Sequence, residues 1–395
     1  MDATPQIPVI GVVNNRLRTT SLCLAVAYGS RHDPAGNGGV AHLLEHLLMA
    51  APDGAQPSLC ERIERLGGQA NAETGLEIML FHLRVHAEDA GEAVGWLADS
   101  VLRSALTDTA LEQERAVVLQ ELTAAGADPC DTVQDAFFGA LFPGHPLGRP
   151  VGGSAEQVRS ITQFQVREVY EERFLAAPMS LTVVGPEIPD TAHRILRQRS
   201  EDSARLEVAL SPEVVAAPPA WPDEFAWICV GSRCAAAGSS DGYADTVLAS
   251  LCGASPSSLL YRRLRNEQGL AYSFDAWSRG YAESGAWRIL AGVEPVNGDR
   301  LLDVIRTTLD DLATAGPDPN DLLAARRQAQ MQLILDGEAP LEYARRLGQR
   351  TRAGAVPWSL EEDLTRLGAV TAEQVCAAAR RIRDSLVTVV RPEPR

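Results

Sequence analysis

The spacing of apolar residues along the first half of the chain predicts its elements. LCLAVAYGS (22–30) is an almost continuous apolar run and reads as a strand. Residues 39–50 place Leu43, Leu44, Leu47 and Leu48 at helical spacing, and SLCERIERL (58–66) predicts a second helix closed by Gly67-Gly68. QANAET (69–74) and LEIMLFHLRVH (76–86) read as strands, the latter alternating His82, Arg84 and His86 onto one face at a sheet surface. Two helices follow, in AEDAGEAVGWLADSVLRS and DTALEQERAVVLQELTAAG, and MSLTVVG (179–185) closes the half as a strand. Strands and helices mix without a regular βαβ beat. The expectation is therefore an α+β fold, a largely antiparallel sheet with helices on one face.

That pattern occurs twice. LAVAYGSRHDPAGNGGVAHLLEHLL and WICVGSRCAAAGSSDGYADTVLASLC both run apolar strand, Gly-Ser-Arg, small polar loop and apolar-period helix, about half a chain apart. Between them SPEVVAAPPAWPDE carries four Pro and no period. The expected organisation is two homologous domains related by duplication: 1–205, a linker at 206–222, and 223–395. The second copy has Ala244 and Asp245 where the first has its leading His, so only the first half is expected to keep chemistry.

Composition narrows the function. The net charge is −16 over 395 residues, which argues against nucleic acid or an anionic membrane as partner. All 36 basic residues are Arg, so mechanisms that require Lys, such as Schiff bases, Ser-Lys dyads and phosphate-binding P-loops, are excluded. Seven Cys at 23, 60, 130, 229, 234, 252 and 376, with no Cys-x-x-Cys pair, fit reduced thiols. MDATPQIPVIG has no basic n-region, and no later stretch is long and apolar enough to span a membrane. A soluble, cytoplasmic protein is expected.

The chemistry is carried by His42-Leu-Leu-Glu45-His46. On a helix His42 and His46 stack on one face, where two imidazoles can grip one metal ion, and Glu45 flanks them within reach of a water held there. A third ligand is needed. Glu114 and Glu121, seven residues apart in LEQERAVVLQEL, share a stripe whose buried side is marked by Val117 and Val118. Glu121 is the candidate ligand and Glu114 a carboxylate orienting an imidazole.

In the context GSRHDPAGNGGVAHLLEHLL, RLGGQANAET, ERAVVLQEL and FPGHPLGRPVGG, the inverted His-x-x-Glu-His order resembles the pitrilysin-type (inverzincin) zinc metallopeptidase family, at this length its smaller bacterial and processing-peptidase branch. SSLLYRRLRNEQGLAYSF resembles the family's carboxyl-terminal domain. The resemblance implies one Zn²⁺ per chain held by His42, His46 and Glu121, Glu45 as general base and Glu114 in support. It implies that Asn71 and Ala72 lie on an edge strand that pairs with an extended peptide, and that Arg265 and Tyr272 contact the substrate carbonyl. It also implies half of a clam-shell chamber. A dimer would then bring Arg265 and Tyr272 of one chain to its partner's zinc, as a homodimer or as a heterodimer with a related subunit. Glu73 stands where the family often has a small or uncharged residue. VVNNRLRTT is shorter than the family's usual hairpin, and His145 is assigned to a structural or substrate-facing loop. Two readings compete with the peptidase: a non-catalytic subunit of a larger assembly, and a module that binds peptides without cleaving them. Zinc content and chelator-sensitive cleavage separate them.

Overall fold

A computed structural model describes residues 7–52, 56–195, 210, 219–350 and 358–394. The expected linker at 206–222 lies largely outside the described residues. The first half runs β1 (Val9–Val13), β2 (Thr19–Val26), α1 (Val40–Met49), α2 (Leu59–Arg65), β3 (Gln69–Thr74), β4 (Met79–His86), α3 (Ala90–Leu102), α4 (Asp108–Ala127), α5 (Pro129–Leu141), α6 (Ala155–Ser160), α7 (Gln163–Val169), β5 (Met179–Gly185) and α8 (Asp190–Ile195). The second half runs β6 (Ala226–Cys234), α9 (Asp241–Cys252), β7 (Phe274–Gly280), β8 (Gly285–Val293), α10 (Gly298–Thr314), α11 (Pro319–Glu338), α12 (Pro340–Arg350), α13 (Leu360–Gly368), α14 (Ala372–Asp384) and β9 (Val387–Arg391).

The duplication is visible in the strand order. One sheet runs β1-β5-β2-β4-β3 and the other β7-β8-β6-β9. With β1 set aside, β5-β2-β4-β3 and β9-β6-β8-β7 are the same sequence of equivalent strands, and every pairing among them is antiparallel. Among the described residues only β1 joins in parallel, along β5.

The compact units do not divide at the middle of the chain. One contains Met1–Ala124, Arg149–Leu206 and Leu335–Trp358; the other contains Ala125–Gly148, Glu207–Ile334 and Ser359–Arg395. Helix α5, encoded in the first half, packs on β6 and β9, while its equivalent α12, encoded in the second half, packs on β2, β4 and β5. The division expected at 206–222 therefore misses an exchange of one helix in each direction. Fold class is as the pattern predicted, with this addition: α12 lies over the sheet face opposite α1 and α3.

Coverage of both faces explains the continuous apolar run in β2. Leu22, Leu24 and Val26 face α1 and α3, together with Phe81, Leu83, Leu181 and Val183. Cys23 and Ala25 face the other way, with Leu80, Val184 and Ala344 of α12. Helix α12 approaches closely because residue 348 is Gly: a Cβ there would lie 3.1 Å from the Ala25 Cβ and 3.3 Å from the Cys23 Sγ. His82, expected at a sheet surface, is buried beneath this helix, whereas His86 beyond it is exposed.

Candidate functional site

Helix α1 buries Leu43, Leu44, Leu47 and Leu48 and leaves His42, Glu45 and His46 on its half-buried side. Its N-terminus is built by a residue that the motif reading passed over. The N-cap is Gly39, in the left-handed region at φ 92°, and has no side chain to offer. Asp33 supplies the carboxylate instead, accepting from Gly39 N at 2.8 Å and Ala41 N at 3.1 Å, with the Tyr28 hydroxyl donating at 3.4 Å. Burial pushes the Asp33 carboxyl up to about 7, against the pull of the two helix amides. An Asp-Pro step leading into a Gly-rich loop before an uncapped helix was the available signal.

Helix α4 brings the carboxylates. Its buried positions are Ala110, Leu111, Glu114, Arg115 and Val118. Val117, expected on that side, is 42% exposed. Arg115 donates to Ile161 O at 2.7 Å and to Val158 O, fixing the helix against the C-terminal end of α6. Glu114 and Glu121 then meet different atoms of one imidazole. Glu114 Oε2 stands 3.3 Å from His46 Nδ1, while Glu121 Oε2 stands 3.3 Å from His46 Nε2 and 3.5 Å from His42 Nε2. The donor atoms of His42, His46 and Glu121 all lie within 4.8 Å of one another.

Two imidazole nitrogens and one carboxylate oxygen are a donor set that zinc accepts, and three protein ligands is the number found at catalytic zinc. Glu114 on the far nitrogen of His46 is the kind of partner that fixes tautomer and ring orientation. His42 Nδ1 is buried with no hydrogen-bond partner among the described residues, and Gly152 lies against it: a Cβ there would come within 3.6 Å. Burial, and secondly His46, hold the His42 imidazole below its ordinary pKa, which favours the neutral, ligating form.

Glu45 sits beside this cluster. Thr74, the last residue of β3, donates its hydroxyl to the Glu45 carboxylate. Burial raises the Glu45 pKa, in the direction a general base needs.

Asn71 and Ala72 lie on β3, at the edge of the sheet. Asn71 is exposed and Ala72 buried, and the Asn71 Oδ1 accepts from Ala72 N at 2.9 Å. Glu73 points to the face opposite Ala72, where it pairs with Arg345 of α12 and stands 3.6 Å from His82 Nε2. His82 first, then Arg345, hold its carboxyl at about 2. In the second unit Arg265 ends in a guanidinium 4.5 Å from the ring centre of Tyr272 and 4.9 Å from that of Tyr261. Tyr272 is 80% exposed. His145 is buried in that unit and accepts from Leu147 N at 3.2 Å, inside its own loop. In the repeat of α1, Asp245, beside Ala244 near the position of the leading His, is buried, accepts from Ala235 N at 2.9 Å and pairs with Arg381.

A family model described as insulinase, peptidase family M16, matches residues 9–155, and one described as peptidase M16 inactive domain matches residues 160–329. An uncharacterized zinc protease of Mycobacterium bovis is 30% identical over 382 residues, spanning 93% of this chain and 86% of the relative. The β subunit of the mitochondrial-processing peptidase of Blastocladiella emersonii is 27% identical over 416 residues, spanning 96% and 85%. Among solved structures, a protease from Helicobacter pylori matches with a TM-score of 0.84 at 18% identity, covering 97% of this chain and 96% of that one. Taken with the two-domain match, these relatives show that the chain belongs to the M16 (insulinase, pitrilysin-type) peptidase family.

Proposed function

We propose that this protein is a zinc-dependent endopeptidase acting on extended peptides. The observation that carries the reading is the convergence of His42 Nε2, His46 Nε2 and Glu121 Oε2, with the Glu45 carboxylate beside them and a free strand edge next to Glu45.

His42, His46 and Glu121 would hold the ion, and Glu114 would fix the His46 ring. When bound, zinc supplies Lewis acidity, activating water near neutral pH and polarising the scissile carbonyl. Glu45 takes the proton from the attacking water and passes it to the leaving amine. The β3 edge aligns the substrate through main-chain bonds, which demand little of its sequence. Arg265 and Tyr272 would stabilise the developing oxyanion from a partner chain, which makes a homodimer, or a heterodimer with a related subunit, the working assembly. The seven thiols are unpaired, which favours a reducing, cytoplasmic setting. Substrates would be oligopeptides under degradation or the leader of a precursor.

The test is a peptide library incubated with purified protein, with metal content measured in parallel. Cleavage that a chelator abolishes and added zinc restores is expected. Bound zinc without any cleavage would favour the peptide-binding or structural-subunit reading instead.

A further inference from the structure

Among the described residues strand β3 has one unpaired side, and its outward amides have different neighbours. In an antiparallel pair alternate residues face the neighbour. Gly75 N donates inward to Ile78 O at 2.9 Å, so the amides of Ala72 and Thr74 belong to the outer edge. Among the described residues Ala72 N is met by the side chain of Asn71, which can swing away. Thr74 N lies beside the Glu45 carboxylate, which accepts from the Thr74 hydroxyl. A peptide strand laid along this edge finds its partner group at Ala72 and comes up against the Glu45 carboxylate at Thr74.

The Thr74–Glu45 contact is braced from both ends. Ser30 N donates to Gly75 O at 3.0 Å and Arg31 N to Leu76 O at 2.9 Å, directly after β3. Arg31 pairs with Glu77. The same segment then carries Asp33, which holds the Gly39 and Ala41 amides at the start of α1. Its approach depends on Gly29, where a Cβ would meet Gly75 O at 2.4 Å and the Leu76 carbonyl carbon at 2.7 Å, both main-chain atoms. One short stretch of chain thus clamps the residue after Thr74 and the helix turn before Glu45. The backbones are fixed, and the hydroxyl fixes what remains free, the rotamer of the Glu45 side chain.

We propose that Thr74 is a positioning residue for the peptidase reaction: it aims the Glu45 carboxylate and ends the peptide-binding edge, so that the bond to be cut lies beside Glu45. This rests on the peptidase reading above and adds a residue and a register to it. Misplacing a catalytic group by about 1 Å costs on the order of 10²-fold in rate. Thr74→Val, which removes the hydroxyl at nearly constant volume, should lower kcat by about 10- to 100-fold, with KM and zinc content near those of the wild type. Thr74→Ser, which restores the hydroxyl, should recover kcat to within a few-fold. If Val is not tolerated, the comparison of Thr74→Ala with Thr74→Ser reads the same difference. Wild-type kcat in the hydroxyl-free variant would overturn the proposal, as would equal losses in the Ser and hydroxyl-free variants. A wild-type protein with no chelator-sensitive cleavage would defeat the peptidase reading itself, and that outcome is separable because it requires no variant.

Discussion

At His46 the two ring nitrogens face different carboxylates, Glu121 at one and Glu114 at the other, while Glu45 is held by Thr74. The acids of one site therefore fail in different ways. Glu45→Gln should keep zinc bound and the fold intact but lower kcat by about 10²–10⁴-fold, the usual cost of losing a general base. Activity near wild type in that variant would remove Glu45 from the mechanism. Glu121→Gln should act on the metal first, seen as reduced zinc per chain after dialysis. Unchanged occupancy would move the third ligand elsewhere. How much of this was legible in advance differs by residue. The two histidines follow from helix geometry alone, because positions four apart lie on one face whatever surrounds them. Glu114 and Glu121 share a stripe of α4, and the atoms they meet depend on how α4 packs. Asp33 went unassigned because its role depends on a helix start six residues on that lacks its own cap.

Strand β3 is tied to the helices on the two faces of its sheet, by Thr74 to α1 and by Glu73 to α12. The second tie is ionic and therefore titrates. Glu73 has its carboxyl lowered from 4.5 to about 2 by His82 and Arg345. The folded chain thus binds this proton less readily than the unfolded chain. Its contribution to stability is fully present above about 4.5 and is lost as pH falls toward about 2. Glu73→Gln should flatten the fall of the thermal midpoint across that window. The effect should be modest, about 1 kcal/mol or less, because the Glu73 side chain is 42% exposed and solvent screens it. An identical acid slope in the variant would show that the ion pair does not stabilise the edge strand.

The exchange of α5 and α12 makes the two halves of the sequence dependent on each other. Cut near residue 206, the first fragment would lose α12 and expose Cys23, Ala25, Leu80 and Val184 on an open sheet face. The second would lose α5 from β6 and β9. Apolar faces of this kind aggregate. Residues 1–206 and 207–395 expressed separately should be insoluble or lack a cooperative melt, and co-expression should rescue both. A soluble first fragment with a sharp thermal transition would contradict this. The proposed dimer has its own test, complementation. Chains carrying Glu45→Gln and chains carrying Tyr272→Phe should each be inactive, and mixing them with subunit exchange should restore part of the activity if Tyr272 works in trans. A fully active protein that is monomeric by light scattering would defeat the arrangement.

The sequence by itself determined the local features: the register of His42 and His46, the apolar stripe that buries α1, the repeated strand–loop–helix pattern and the short strand after Gly67-Gly68. Each depends on spacing within one element, and that spacing is fixed by the geometry of helix or strand. Only the tertiary structure decided which carboxylate meets which imidazole nitrogen, and that Thr74 holds Glu45. Tertiary structure also decided that Glu73 is neutralised by an Arg 272 residues away and that each sheet is covered by a helix from the other half of the chain. These depend on packing between distant segments. The pattern records that both faces of β2 are apolar, but an apolar face specifies burial without specifying its partner.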